Sequence, residues 1–269
     1  MKTKNSTGYV YENADEFDRL ERQAKLSGYL LSTELKGFDL RPGDVFLDAG
    51  CGSGLASRYM AEKYPSAKIE ACDFSALRLK QAEKHAKSLS LNIRFFESDL
   101  QNIQCEDNHY DKIFCRYVFW TFTKFEKLMS ELFRVLKPGG TLLVVDFDGY
   151  FLNLDHQSPT LAKMMKEIEV NLREIMDLFV GRKIPRLFNN TKFDQVQWSV
   201  AAIPFQNQDL LDELDIIRQR FAFLLPVFAQ CLGSQKRAEE FVETFCSELV
   251  LKGNSIFYNK FIVTGKKPR

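Results

Sequence analysis

Asp48-Ala49-Gly50-Cys51-Gly52-Ser53-Gly54 is the stretch where residue type and spacing promise chemistry. Three glycines at alternate positions permit backbone torsions closed to other residues and let the main chain approach a ligand closely. They follow a short apolar run, Val45-Phe46-Leu47, which ends in the acidic Asp48. A Gly-rich turn between a parallel strand and a helix is a nucleotide cradle in doubly wound α/β folds. The spacing excludes the dinucleotide fingerprint Gly-x-Gly-x-x-Gly, whose last glycine falls on Leu55. The glycines alone also fit a turn that holds no ligand. Two further acids, Asp73 and Asp99, close apolar segments downstream, and of the three histidines only His156 follows the fifth such segment.

The elements that must carry these residues follow from hydrophobic period. Asn13 and Glu16 form a capping-box pair, and Phe17, Leu20, Ala24, Leu31 and Leu35 then recur at helical spacing, which predicts one N-terminal helix. Ile69–Cys72, Ile93–Phe96, Lys112–Tyr117 and Thr141–Val145 read as strands after the first. Helices fall between them, one capped by Ser75 and one stopped by Lys137-Pro138-Gly139-Gly140. Ser158-Pro159 starts a long amphipathic helix that ends at Gly181, read as a cap over the strand ends. Val196, Trp198, Val200 and Ala202 alternate as a sixth strand, and helices over 208–229 and 235–252 precede a last strand, Ile256–Thr264. The expected fold is α/β, a doubly wound, mostly parallel seven-stranded sheet with a helical cap and ligands at the C-terminal strand ends. Its parts are an N-terminal lid segment (1–36), a cofactor-binding core (37–150), a cap insertion (151–190) and the end of the core (191–269).

Asp48-x-Gly50-x-Gly52-x-Gly54 resembles the first motif of the class I methyltransferases, which bind S-adenosyl-L-methionine and release S-adenosyl-L-homocysteine. From about Asn13 onward the chain is similar to the small-molecule methyltransferases of quinone biosynthesis, and the resemblance implies a Rossmann-like methyltransferase fold. It also implies that Gly50, Cys51, Gly52 and Gly54 pack against the methionine part of the cofactor. Asp73, closing the second strand, would accept both ribose hydroxyls, and Phe74 would stack on adenine. The bland role for Asp73 is a helix N-terminal charge. Ser98, Asp99 and Leu100 match the adenine-binding acid and its neighbours, although Asp99 also suits a solvated loop. Cys115-Arg116 matches the end of the fourth strand. Arg134–Gly140 matches the structural signature before the fifth strand, and Gly181–Leu187 matches a stretch that follows the cap helix in this group. Relatives often carry His where Thr121 stands, so no acid–base role transfers to that position.

The implied reaction moves a methyl group to an O, N or C atom of a small, partly apolar metabolite. It needs alignment and exclusion of water more than a strong base. His156 is the candidate acid–base residue, against a loop histidine without function. Tyr9, Tyr11, Tyr117, Trp120, Asp148 and Tyr150 are substrate-pocket candidates by position. Lys+Arg number 37 against Asp+Glu 36, a net charge of +1, which argues against a nucleic-acid partner and an RNA methyltransferase. A non-catalytic protein that binds the cofactor is the other alternative. The six cysteines lie far apart, without zinc or disulfide-framework spacing, and no metal is expected. The polar start (Met1 to Gly8) and the shortness of the longest apolar run, Phe221–Phe228, lead to the expectation of a cytoplasmic protein without a membrane span, monomeric or homodimeric. Some of the 24 phenylalanines are expected to line a pocket as well as fill a core.

Overall fold

The computed structural model describes residues 15–205 and 207–269. Tyr9, Tyr11 and the Asn13 cap lie outside the described residues. In chain order the elements are α1 (Glu16–Gln23), α2 (Leu31–Glu34), β1 (Val45–Ala49), α3 (Leu55–Lys63), β2 (Lys68–Asp73), α4 (Ala76–Ser88) and β3 (Ile93–Glu97). They continue as β4 (Tyr110–Arg116), α5 (Glu126–Val135), β5 (Leu136–Asp148), α6 (Pro159–Leu172), α7 (Ile184–Asn190), β6 (Asp194–Phe205), α8 (Asn207–Leu232), α9 (Gln235–Leu249) and β7 (Ile256–Lys266). The strands form one seven-stranded sheet in the order β3-β2-β1-β4-β5-β7-β6. Pairings from β3 through β5 are parallel, whereas β7 is antiparallel to both β5 and β6.

Alternation along the central strands assigns each residue a face of the sheet. Phe46, Phe114, Leu143 and Val145 join α2 and α3 in one buried cluster. Leu47, Ile113, Cys115, Leu142 and Val144 join α5 and α7 in another. Burial on both faces is why the fifth strand reads as an unbroken apolar run. That strand extends beyond the expected Val145 to Asp148, because β7 pairs with it as far as Asn259 opposite Asp148. Ser75 caps α4 by accepting from Arg78 N, and Ser158 caps α6 by accepting from Leu161 N, as the sequence predicts.

Three expectations change. The single N-terminal helix is broken after Gln23 and resumes at Leu31. Between them Gly28 passes so close to β6 that a Cβ would lie 2.3 Å from Ile203 Cγ2, a contact that constrains the path of the chain there. The helix expected to run from Ser158 to Gly181 ends at Leu172, and Gly181 instead begins a 3-10 turn. The helices between β6 and β7, grouped above with the end of the core, pack against α6. Leu161, Met165 and Ile168 of α6 share a buried cluster with Phe221 and Phe228 of α8 and Phe241 and Phe245 of α9. Phe221 meets Phe228 and Phe245 with centroids 5.1 Å apart in each case, so much of the phenylalanine content builds this second core.

Candidate functional site

A cavity of about 470 Å³ opens at the C-terminal ends of the parallel strands. One half is walled by the Gly-rich loop. Gly50 and Gly52 both take positive φ (77° and 55°). A Cβ on Gly50 would stand 2.5 Å from Val118 Cγ2, and one on Gly52 would stand 3.2 Å from Leu20 Cδ1, so the loop tolerates only glycine at its closest approaches. Asp73, at the end of β2, accepts from Gly52 N (2.9 Å) and Ser75 N (2.9 Å), with Arg78 Nη2 at 3.4 Å, and thereby fixes the loop. Asp48 is buried and accepts from Ser57 N (3.0 Å) and Ser57 Oγ (2.5 Å), which ties β1 to α3. Burial pushes its carboxyl up to about 6, although the Ser57 bonds oppose this. Asp99 sits exposed at the rim, where it accepts from Gln101 N (2.8 Å).

The other half is aromatic. Tyr117 stacks on Phe147 (centroids 4.2 Å, 4° between planes), and Tyr150 lies 5.2 Å from Phe147 and 5.8 Å from Trp120. Tyr117 is held at φ 56°, uncommon for a residue with a side chain. Its hydroxyl donates to Glu34 Oε1 (2.8 Å). Glu34, buried, also accepts from Arg116 Nε (2.6 Å) and Lys260 Nζ (2.9 Å), so one carboxylate joins α2, the end of β4 and β7.

Of the expected cofactor residues, Asp48, Gly50, Cys51, Gly52, Asp73, Phe74, Asp99, Leu100 and Arg116 line the cavity. Gly54, Ser98 and Cys115 do not. Gly54 precedes α3, and a Cβ there would meet Ala82 and Phe95, both at 3.1 Å. Cys115 alternates into the core on the α5 side, and Ser98 Oγ accepts from Gln104 N (3.4 Å). Tyr117, Trp120 and Tyr150 line the aromatic half. Asp148 instead clamps Arg182, which reaches it with Nη2 (2.5 Å), Nε (2.9 Å) and its backbone N (2.8 Å). That clamp, and a Cβ-less Gly181 packed on Phe261 and Asp148, give the 181–187 stretch a structural role. His156 is exposed and outside the lining; its backbone exchanges hydrogen bonds with the Asn254 side chain. Its place on the loop after β5 put it near in sequence, but the loop carries it outward to the turn before β7. Thr121 lines the cavity and donates to Val118 O (2.7 Å).

Sequence reasoning missed a polar wall. Glu16, Arg19 and Gln23, on one face of α1, are buried and line the cavity. Arg19 donates to both Glu16 oxygens (2.6 and 2.7 Å) and to Gln23 Oε1 (2.7 Å). Glu16 thus holds Arg19 in an ion pair on the cavity side of α1. The spacing 16–19–23 was the available signal, a helical period written in polar residues. Glu21 holds Arg58 of α3 through both oxygens (2.7 Å each), and Arg22 donates to Gln219 of α8. So α1 roofs the cavity between the Gly-rich loop and the cap. Ile175, Met176 and Arg220 complete the lining from the cap side.

A profile described as "Methyltransferase domain" matches residues 46–140, the segment that holds the Gly-rich loop, Asp73 and Asp99. Residues 46–140 are thus similar to a methyltransferase domain. A demethylmenaquinone methyltransferase of Thermus thermophilus is 34% identical over 101 residues, 38% of this chain and 46% of that protein. Phosphoethanolamine N-methyltransferase 2 of Caenorhabditis elegans is 27% identical over 71% of this chain and 42% of its own length. The chain thus spans less than half of each of these relatives. Among solved structures, a phosphoethanolamine N-methyltransferase 2 of Haemonchus contortus covers all of this chain, which spans 59% of it, with TM-score 0.61 and 18% identity, a likeness of fold. The mostly parallel seven-stranded sheet with flanking helices is the architecture these methyltransferases share. No described helix is long and apolar enough to cross a membrane.

Proposed function

We propose that this protein transfers a methyl group from S-adenosyl-L-methionine to an O, N or C atom of a small, partly apolar metabolite, leaving S-adenosyl-L-homocysteine. The observation that carries the reading is the continuity of one cavity from the glycine cradle to the aromatic wall, so that donor and acceptor can meet away from bulk water. The cradle suits the cofactor, because a Cβ at Gly52 would sit on Leu20 and narrow the space beside Asp73. Gly50, Cys51 and Gly52 would hold the methionine part, Asp73 the ribose hydroxyls, and Phe74, Asp99 and Leu100 the adenine. When bound, the cofactor supplies an electrophilic methyl on a sulfonium. The chain's own contribution is orientation: the stacked Tyr117–Phe147 pair and Tyr150 give the cavity an aromatic wall for an apolar acceptor, and Glu34 holds the Tyr117 hydroxyl.

His156 is no part of this proposal. A cytoplasmic setting agrees with six free cysteines, five of them buried. Relatives that act on demethylmenaquinone and phosphoethanolamine support a small-molecule acceptor, and the net charge of +1 gives no support to nucleic acid. Calorimetry on the full chain tests the reading. Saturable binding of S-adenosyl-L-homocysteine is expected, with NAD ignored; the reverse result overturns it.

A further inference from the structure

Arg220 projects from α8 into the lining of the cavity while only 4% of it is exposed. A guanidinium so buried is costly to desolvate and is normally held by a hydrogen-bonded carboxylate. Arg19, on the opposite helix, has such a partner in Glu16. Arg220 has a looser one, besides the Tyr29 hydroxyl that it also faces. Its Nη1 stands 3.6 Å from Glu213 Oε1, beyond a direct hydrogen bond. That same oxygen already accepts from Tyr29 (3.2 Å) and Tyr258 (2.9 Å), while Oε2 of Glu213 has no hydrogen-bond partner. Burial also pushes the Glu213 carboxyl up to about 8, although the Tyr258 and Tyr29 hydroxyls oppose this. The guanidinium carbon lies 4.7 Å from the centroid of the Tyr150 ring, which holds it at the edge of the aromatic wall.

We propose that the cap side of the cavity is an anion site, in which Arg220 receives a carboxylate or phosphate carried by the methyl acceptor while the acceptor's flat apolar body lies against Tyr117, Phe147 and Tyr150. This rests on the methyltransferase reading for the word acceptor, but the anion site itself is a property of the side chains. Carboxylate and phosphate offer a planar fork of oxygens or a cluster of them that matches the two-pronged guanidinium. A protonated amine at the same place would face the charge of Arg220 and be disfavoured. The site thus selects an acceptor that is apolar at one end and anionic at the other.

The test uses ring compounds that differ in head group: phenyl phosphate, benzoate, phenol and benzylamine, each titrated calorimetrically into the full chain without cofactor. The two anions should bind, with phenol and benzylamine about tenfold weaker or more, which corresponds to one charge-assisted contact. Arg220→Gln should weaken the anions by about 10- to 100-fold and leave phenol unchanged, with Arg220→Lys in between. Whichever of phenyl phosphate and benzoate binds more tightly identifies the phosphate or carboxylate source. Phenol or benzylamine binding as tightly as the anions, or Arg220→Gln binding anions as the wild type does, overturns the proposal. Should Arg220→Gln fail to fold by circular dichroism, the wild-type series and Arg220→Lys decide. S-adenosyl-L-homocysteine is titrated separately. Its failure to bind beside intact anion binding would remove the cofactor reading alone, and the opposite pattern would remove the anion site alone.

Discussion

Glu34→Gln should destabilise this protein far more than an ordinary surface substitution, because the buried carboxylate answers a buried lysine and a half-buried arginine. Arg116 Nε and Nη2 reach it at 2.6 and 3.3 Å, Lys260 Nζ at 2.9 Å and Tyr117 Oη at 2.8 Å. Glu34 and Lys260 are both buried, and Lys260 has Gly28 O (2.9 Å) as its other partner. Gln preserves the shape but leaves one amide oxygen where two cations need an anion. Breaking a buried ion pair by removing one partner costs about 3–5 kcal/mol. For a chain of 269 residues this is a fall in melting temperature of about 5–15 °C. Urea unfolding should show the midpoint falling with little change in slope, as expected when stability changes and the exposed area does not. The double variant Glu34→Gln/Lys260→Met should recover part of the loss, since one stranded charge is gone, and the cycle isolates that coupling. A Glu34→Gln midpoint within error of the wild type would refute the reasoning, and so would strictly additive behaviour of the double variant.

Gly52→Val should abolish S-adenosyl-L-homocysteine binding in calorimetry while circular dichroism still reports a folded chain, since the branched side chain enters the cradle at φ 55° and meets Leu20. Asp48 gives a pH signature. Its carboxyl titrates near 6 when folded against 3.8 ordinarily, so the native state binds more protons between those values. Its contribution is therefore fully present below about pH 4 and lost as pH rises through about 6. The stability of Asp48→Asn relative to wild type should accordingly rise by about 1–3 kcal/mol across that window in urea titrations, and a flat difference would contradict it. With balanced charge, bulk tRNA at physiological salt should give no submicromolar gel shift.

Much of this was legible in the sequence, and the limits are instructive. Apolar period reports burial against apolar partners, so the five parallel strands could be read directly, and the Ser75 and Ser158 hydroxyls marked two caps; in β6 the alternating Trp198 and Val200 are exposed instead. The Gly-rich turn was legible because its chemistry is local: Gly50, Gly52 and Asp73 act through their own backbone and a neighbouring strand end. Reading by position failed at His156 and Asp148. Asp148 ends the fifth strand and His156 follows it, but the Asp148 side chain is taken up by Arg182 and the loop carries His156 outward. Nothing in the order of residues announces which side of a strand end a loop will take.

What the sequence determined by itself is the cradle and the sheet that presents it, because strand alternation and glycine torsions depend on neighbours in the chain. What only the tertiary structure decided is the far wall of the cavity. Glu16, Arg19 and Gln23 look like a solvated helix face, and Arg220 looks like any charged residue on an amphipathic helix. They become a site because α1 is pinned to α3 by Glu21 and Arg58 and lies against α8, which folds back over the strand ends. A polar face turned toward a cavity and one turned toward water carry the same pattern. The difference is burial, and burial here is set by helices separated by about two hundred residues in the chain.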